Sequence, residues 1–191
     1  MAQTPSTMLA LDTPLPAFSL PDYDARLISS SDFEDQQILV MFICNHCPYV
    51  KHIQADIVDI LKPYQTRGIQ AVAIMSNDFK AYPDDAPEKM REVAEKFGFT
   101  FPYLIDKSQH VAKAFKAACT PDFFLFDRNH KLVYRGQLDD SRPGNDIPVT
   151  GQDLKRAMDL LLQGKRVPES EQTPSVGCNI KWRPGNAPDY V

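Results

Sequence analysis

Residues 38–43, Ile-Leu-Val-Met-Phe-Ile, form an unbroken apolar run, and the chain changes period directly after it. A run of that length, rich in β-branched and aromatic side chains, fits a strand buried on both faces. Beyond it Val50, Ile53, Ile57, Leu61 and Tyr64 recur at steps of three and four, which is one face of a helix, and Gly68 ends it. Ala71 to Met75 reads as a second buried strand. Strand, helix, strand at this spacing is a βαβ unit. It makes the two strands parallel, with a right-handed crossover, and commits the chain to a sheet with helices on its faces. At the handover from the first strand to the helix stands Cys44-Asn45-His46-Cys47.

The rest of the chain fits around this unit. Pro14 to Pro21 is proline-rich and reads as extended edge structure, with a turn at Ser30-Ser31-Asp32-Phe33. After the polar loop Asp78–Pro87, Met90, Val93, Ala94 and Phe97 mark a helix stopped by Gly98. Tyr103-Leu104-Ile105 is a short strand, and Ser108 is placed to cap a short helix carrying Val111 and Phe115. Phe123–Phe126 and Leu132–Tyr134 are strands joined at hairpin distance. A last helix over Thr150–Gly164 turns Leu154, Ala157, Met158, Leu161 and Leu162 inward, and 165–191 shows no periodicity. The expectation is one domain over 1–191, with a core of about 14–164 and an irregular C-terminal tail from 165.

Composition narrows the class. A net charge of −4 with no basic cluster argues against a nucleic-acid partner. No apolar stretch approaches the ~18 residues of a membrane span. Met1–Pro16 lacks the basic and apolar regions of a leader, so a cytoplasmic location is expected. In a reducing compartment four cysteines point to catalysis or metal rather than to structural bridges.

The first turn of a helix presents unpaired N–H groups and the positive end of its dipole. A thiolate there is stabilised, so the sequence predicts a lowered pKa and the nucleophile at Cys44, with Cys47 one turn on as the resolving thiol. His46, when protonated, adds positive charge beside that thiolate and makes the disulfide more oxidising. Cys-x-x-Cys is also half a zinc site, for which Cys119, Cys178 and His52 are the remaining donors. The absence of a second Cys-x-x-Cys speaks against it, and no metal is expected.

These features resemble the redoxin branch of thioredoxin-like proteins, in the alkyl hydroperoxide reductase/thiol-specific antioxidant superfamily. The matching stretches span nearly the whole chain: Phe42-Ile-Cys-Asn-His-Cys-Pro-Tyr-Val-Lys-His52, Ser76-Asn-Asp78, Tyr82-Pro-Asp-Asp-Ala-Pro-Glu88, Ala118-Cys-Thr-Pro-Asp-Phe-Phe-Leu-Phe-Asp127, Asp139-Asp-Ser-Arg-Pro-Gly-Asn145 and Gly177-Cys-Asn-Ile-Lys-Trp182. The resemblance implies an α/β thioredoxin fold: a mixed sheet flanked by helices, with an N-terminal extended or hairpin extension. It implies a cis bond at Thr120-Pro121 facing the dithiol, with the Thr120 main chain offered to an extended client. Cys119 is either a further redox thiol or a small buried hydrophobe, and Cys178 is equally open. Two positions depart from thioredoxin proper. Ile43 stands where a Trp precedes the first cysteine, and Ile38 where a buried Asp accepts a proton; Asp78 is a weak substitute, more simply a turn residue.

The expected activity is thiol-disulfide exchange through Cys44 and Cys47, with no cofactor beyond their disulfide. The partners are a protein or small-molecule disulfide and an upstream thiol reductant. The alternative is a thiol peroxidase with Cys47 as the peroxidatic thiol, which requires a nearby arginine, Arg142 or Arg135. A module that binds copper or zinc through the thiolates is a third reading.

Overall fold

The computed structural model describes residues 3–191. In chain order it contains β1 (Gln3–Pro5), β2 (Ser19–Pro21), β3 (Leu27–Ser29), β4 (Gln37–Phe42), α1 (Pro48–Ile53), α2 (Ile57–Gln65), β5 (Ile69–Met75) and α3 (Pro87–Phe97). There follow β6 (Tyr103–Ile105), α4 (His110–Ala114), β7 (Cys119–Thr120), β8 (Asp122–Phe126), β9 (Leu132–Gly136), α5 (Gln152–Leu162) and β10 (Val176–Asn179). The central sheet has the order β6-β5-β4-β8-β9. β4 and β6 run parallel to β5, while β8 runs antiparallel to both β4 and β9. β4 is the middle strand, and Ile38 to Phe42 are all completely buried, which is why this strand is continuously apolar rather than alternating.

The strand period of two divides the core between the two faces. Leu39, Met41, Ala73, Phe123 and Leu125 pack with Val50, Ile57, Leu61, Leu154 and Met158 from α1, α2 and α5. Ile38, Val40, Phe42, Phe124 and Phe126 pack with Val111, Phe115 and the N-terminal Leu9, Phe18 and Leu20. On that second face Phe115 meets Phe42 and Phe124 edge-on, with centroids 5.3 and 5.5 Å apart. Such pairs add about 0.5–1.5 kcal/mol each beyond burial. The two cysteines lie in the first cluster. Among the described residues no helix is long and apolar enough to cross a membrane.

Three expectations change. The single helix read over Val50–Tyr64 is two, re-phased by a turn at 54–56 that Asp56 N–H closes on Ile53 O at 3.1 Å. The break keeps Val50 and Ile53 of α1, and Ile57, Ile60, Leu61 and Tyr64 of α2, turned to the sheet. The residue before α4 is Gln109, and Asp106 takes the Ala112 N–H at 2.9 Å, so Ser108 is not the principal cap. Finally, part of the stretch read as an irregular tail is ordered. β10 is the middle strand of a second antiparallel sheet, β1-β10-β7. The proline-rich entry contributes the hairpin β2-β3.

Candidate active site

The chain leaves the central sheet where the sequence places its cysteines. Ile43 N–H still bonds Ile74 O at 3.2 Å, and Cys44 begins the turn. Cys47 is the N-cap of α1, in extended conformation, and Pro48 opens the helix at the position where a missing N–H costs nothing. Both thiols are free and buried. Thr120-Pro121 is cis and closes over them. Cys44 Sγ lies 3.4 Å from Thr120 Oγ1, and the Cys47 thiol donates to the Thr120 carbonyl at 3.2 Å. One residue, more than seventy positions downstream, thus touches both sulfurs.

The electrostatics reverse one expectation. Burial pushes the Cys44 thiol well up, and the hydrogen bond it gives to Cys47 and the Asp85 carboxylate push the same way. The Cys47 thiol is held low, first by the donated Cys44 hydrogen bond. Burial opposes this, and donors from Cys178 and the Val50 N–H assist it. The two thiols titrate as one coupled pair, with these contacts weighting the lower step toward Cys47. The start of α1 contributes to the difference: the Val50 N–H faces Cys47, while Cys44 sits one turn earlier beside Asp85.

That acid, Asp85, went unremarked as a site residue in the sequence. It is fully buried, in a short turn after Tyr82. Its Oδ1 accepts the N–H of Asn45 at 2.8 Å and of His46 at 3.3 Å. Its Oδ2 accepts the Asn77 amide at 2.8 Å and meets His46 Nδ1 at 2.6 Å. Asn45 in turn receives the Tyr103 hydroxyl at 3.1 Å. The loop between the cysteines is thus hung on one carboxylate. His46 stacks on Tyr82, with centroids 5.2 Å apart, and its Nδ1 is turned to Asp85 rather than to a sulfur. The only local signal for Asp85 was its place in the motif Tyr82–Glu88, and an Asp in a polar loop is ordinarily a turn residue.

The remaining candidates separate. Cys178 comes to the dithiol: burial first, and then the neighbouring Cys47 thiol, push it up to about 12. Cys119 is buried but turned away, its sulfur 3.9 Å from Pro121 O. Thr120 is strand-paired with Cys178, so the edge expected to be open to an extended client is covered by the chain's own β10. Arg142 braces its own loop through Asp139 O at 2.6 Å, Ser141 O at 2.8 Å and Gln137 Oε1. Arg135 is buried, bonded to Leu9 O, Gln172 and Glu169. Neither arginine contacts the dithiol. Asp78 holds a turn by accepting the Lys80 N–H at 3.2 Å. His52 bonds Ser141 Oγ at 2.6 Å, away from the sulfurs.

Among the described residues the metal-ligating side chains that converge are Cys44, His46 and Asp85, with donor atoms within 4.8 Å of one another. Of the zinc donors suggested by sequence, Cys178 reaches the dithiol, while Cys119 and His52 are turned to other partners. Asp85 already spends both oxygens on four nitrogen partners, so the cluster fits a hydrogen-bonded anchor better than a metal cage.

With this geometry in hand, the likenesses to other proteins are informative. A thiol-disulfide oxidoreductase, ResA, of Geobacillus thermodenitrificans is 26% identical over 129 residues, covering 68% of this chain and 70% of its own length. Peroxiredoxin Bcp of Escherichia coli is 30% identical over 122 residues, covering 62% and 73%. The crystal structure of an uncharacterized conserved protein from Geobacillus kaustophilus superposes with a TM-score of 0.93 at 51% identity, covering 97% of this chain and 98% of that one. The AhpC/TSA family model matches residues 11–135, from the N-terminal extension through the dithiol and the cis-proline to β9, and the chain belongs to that family.

Proposed function

We propose that the chain is a thiol-disulfide oxidoreductase whose Cys44 and Cys47 cycle between dithiol and disulfide. The observation that carries this is the contact of both sulfurs with one residue, Thr120, at the cis-proline. Cys44 lies beside His46 and Asp85, and Cys47 lies beside Cys178. In this scheme Cys47 in its thiolate form takes the Cys44 proton as Cys44 attacks a substrate disulfide. One substrate thiol leaves and a mixed disulfide remains on Cys44. Cys47 loses that proton again and attacks the Cys44 sulfur, giving the Cys44–Cys47 disulfide and the second substrate thiol. An upstream thiol reductant returns the pair to the dithiol. The family relationship supports thiol chemistry of this class.

The test is trapping with a small disulfide such as oxidised glutathione. Cys47→Ser accumulates a mixed disulfide on Cys44, and its formation shifts to more alkaline pH because the internal base is gone. Cys44→Ser does not accumulate one on Cys44's route. A mixed disulfide held only on Cys47 overturns the order of attack, and an unreacted wild-type dithiol overturns the activity. The lowered Cys47 thiol also favours a second reading, a peroxidase, and one relative, 30% identical over 122 residues, is named a peroxiredoxin. Against it stands the lack of any arginine at Cys47. Hydrogen peroxide consumption by Cys44→Ser that vanishes in Cys47→Ser selects that reading.

A further inference from the structure

We propose that Cys178 is a third redox thiol of this site, which exchanges into the Cys44–Cys47 disulfide to give a Cys47–Cys178 disulfide and free Cys44. The proposal rests on the dithiol chemistry just described and deepens it. Its basis is register. Cys178 of β10 is the cross-strand partner of Thr120 in β7, and partners in an antiparallel pair point to the same face. Thr120 turns its side chain to Cys44, so Cys178 is delivered to the same place. Cys119, one residue earlier on β7, points to the opposite face, which is why it is buried without meeting the dithiol.

Two further observations place Cys178 against Cys47. The first is that the two thiols are close enough to act on each other, Cys178 lowering Cys47 and Cys47 raising Cys178. The second is Gly177. A β-carbon built there would fall inside the envelope of the Thr120 carbonyl oxygen, with the Pro121 ring 3.3 Å away. Only glycine lets β10 close onto the proline loop this tightly, and the next residue is the cysteine. β10 runs antiparallel along the strand that ends at the cis-proline, where an extended client would pair. The chain's own segment holds that place and carries a cysteine into it.

The step balances without an added oxidant. The Cys178 thiolate attacks the Cys47 sulfur of the Cys44–Cys47 disulfide. The S–S bond to Cys44 breaks, Cys44 leaves as a thiolate, and it takes up the proton that Cys178 gave. The oxidising equivalents are those the substrate disulfide has already supplied. Burial holds Cys178 protonated, and an anionic Cys47 adds to it; once Cys47 is in a disulfide the part due to Cys47 is gone. The exchange returns Cys44 as a free thiol while the oxidation is stored inside the chain, and it ties β10 to α1.

The experiment treats the full chain with oxidised glutathione, quenches in acid, alkylates under denaturing conditions and digests without reduction for mass spectrometry. The expected result is a cross-linked Cys47–Cys178 peptide beside the Cys44–Cys47 peptide. In Cys44→Ala, and in Cys44→Ser as an independent variant, Cys47–Cys178 is expected as the main disulfide. If the wild type forms Cys44–Cys47 while Cys178 is recovered fully alkylated, and both variants stay reduced or keep a glutathione adduct, the Cys178 assignment is overturned alone. If no disulfide forms at Cys44 or Cys47 in the wild type, the oxidoreductase reading falls and this inference falls with it.

Discussion

Asp85 shows how one side chain sets the chemistry of a motif forty residues away. Its carboxylate pushes Cys44 up while pinning the backbone of Asn45 and His46. Asp85→Asn keeps an acceptor for the Asn45 N–H and removes the charge. Removing a neighbouring charge is worth about one pKa unit. In a Cys47→Ala background, alkylation of Cys44 by iodoacetamide at pH 8 is therefore expected to speed up by roughly five- to tenfold. An unchanged rate would remove Asp85 from the thiol's electrostatics. The dithiol itself was legible in the sequence, since Cys-x-x-Cys at a strand-to-helix handover has few other uses. Which sulfur carries the charge was not, because it depends on where the first helical N–H groups point and on donors from Thr120 and Cys178.

At the scale of elements, β10 was the hardest to see. Four residues, Val-Gly-Cys-Asn, carry no periodicity, and their partners lie at both ends of the chain, Gln3–Pro5 and Cys119–Thr120. Pairing of that range leaves no local mark, whereas β4, β5 and β8 announce themselves because a fully buried strand has no polar face to show. The fit of β10 to the proline loop turns on Gly177. Gly177→Ala forces the strand back from Thr120 O. The overpacking is expected to cost about 1–3 kcal/mol, read from the urea midpoint. In the folded protein it is also expected to speed alkylation of Cys178, because the displaced strand carries that thiol out of its buried contact. A faster Cys178 with an unshifted midpoint would show that the strand's hold is weak.

For the molecule as a whole, the feature that sets stability against pH is Asp122, immediately after the cis-proline. It is fully buried under Ser6, whose hydroxyl donates to it at 2.9 Å, and burial pushes its carboxyl from 3.8 to about 7. The folded protein keeps this proton between pH 4 and 7, while the unfolded chain releases it. The unfolded state then binds fewer protons, so stability falls as pH rises through that window and levels off above it. At 1.36 kcal/mol per unit the loss is on the order of 4 kcal/mol. In a Cys47→Ala background, which removes the opposing titration of the lowered Cys47 thiol, urea unfolding is expected to show the midpoint dropping between pH 4 and 7. Asp122→Asn in that background should hold its midpoint nearly level across the same interval, and a parallel decline in both proteins would assign the pH dependence to other groups.

The sequence by itself determined the mixed sheet, the parallel order of its first strands, and the dithiol at the end of the central one. Those follow from period and burial, which each segment records locally. Tertiary structure alone decided how the site works: Asp85 beneath the intervening loop, Thr120 between the sulfurs, and Cys178 brought in by a strand from the far end of the chain. Thiol pKa values and disulfide partners depend on contacts of a few ångströms between segments distant in sequence, and no window of residues contains them.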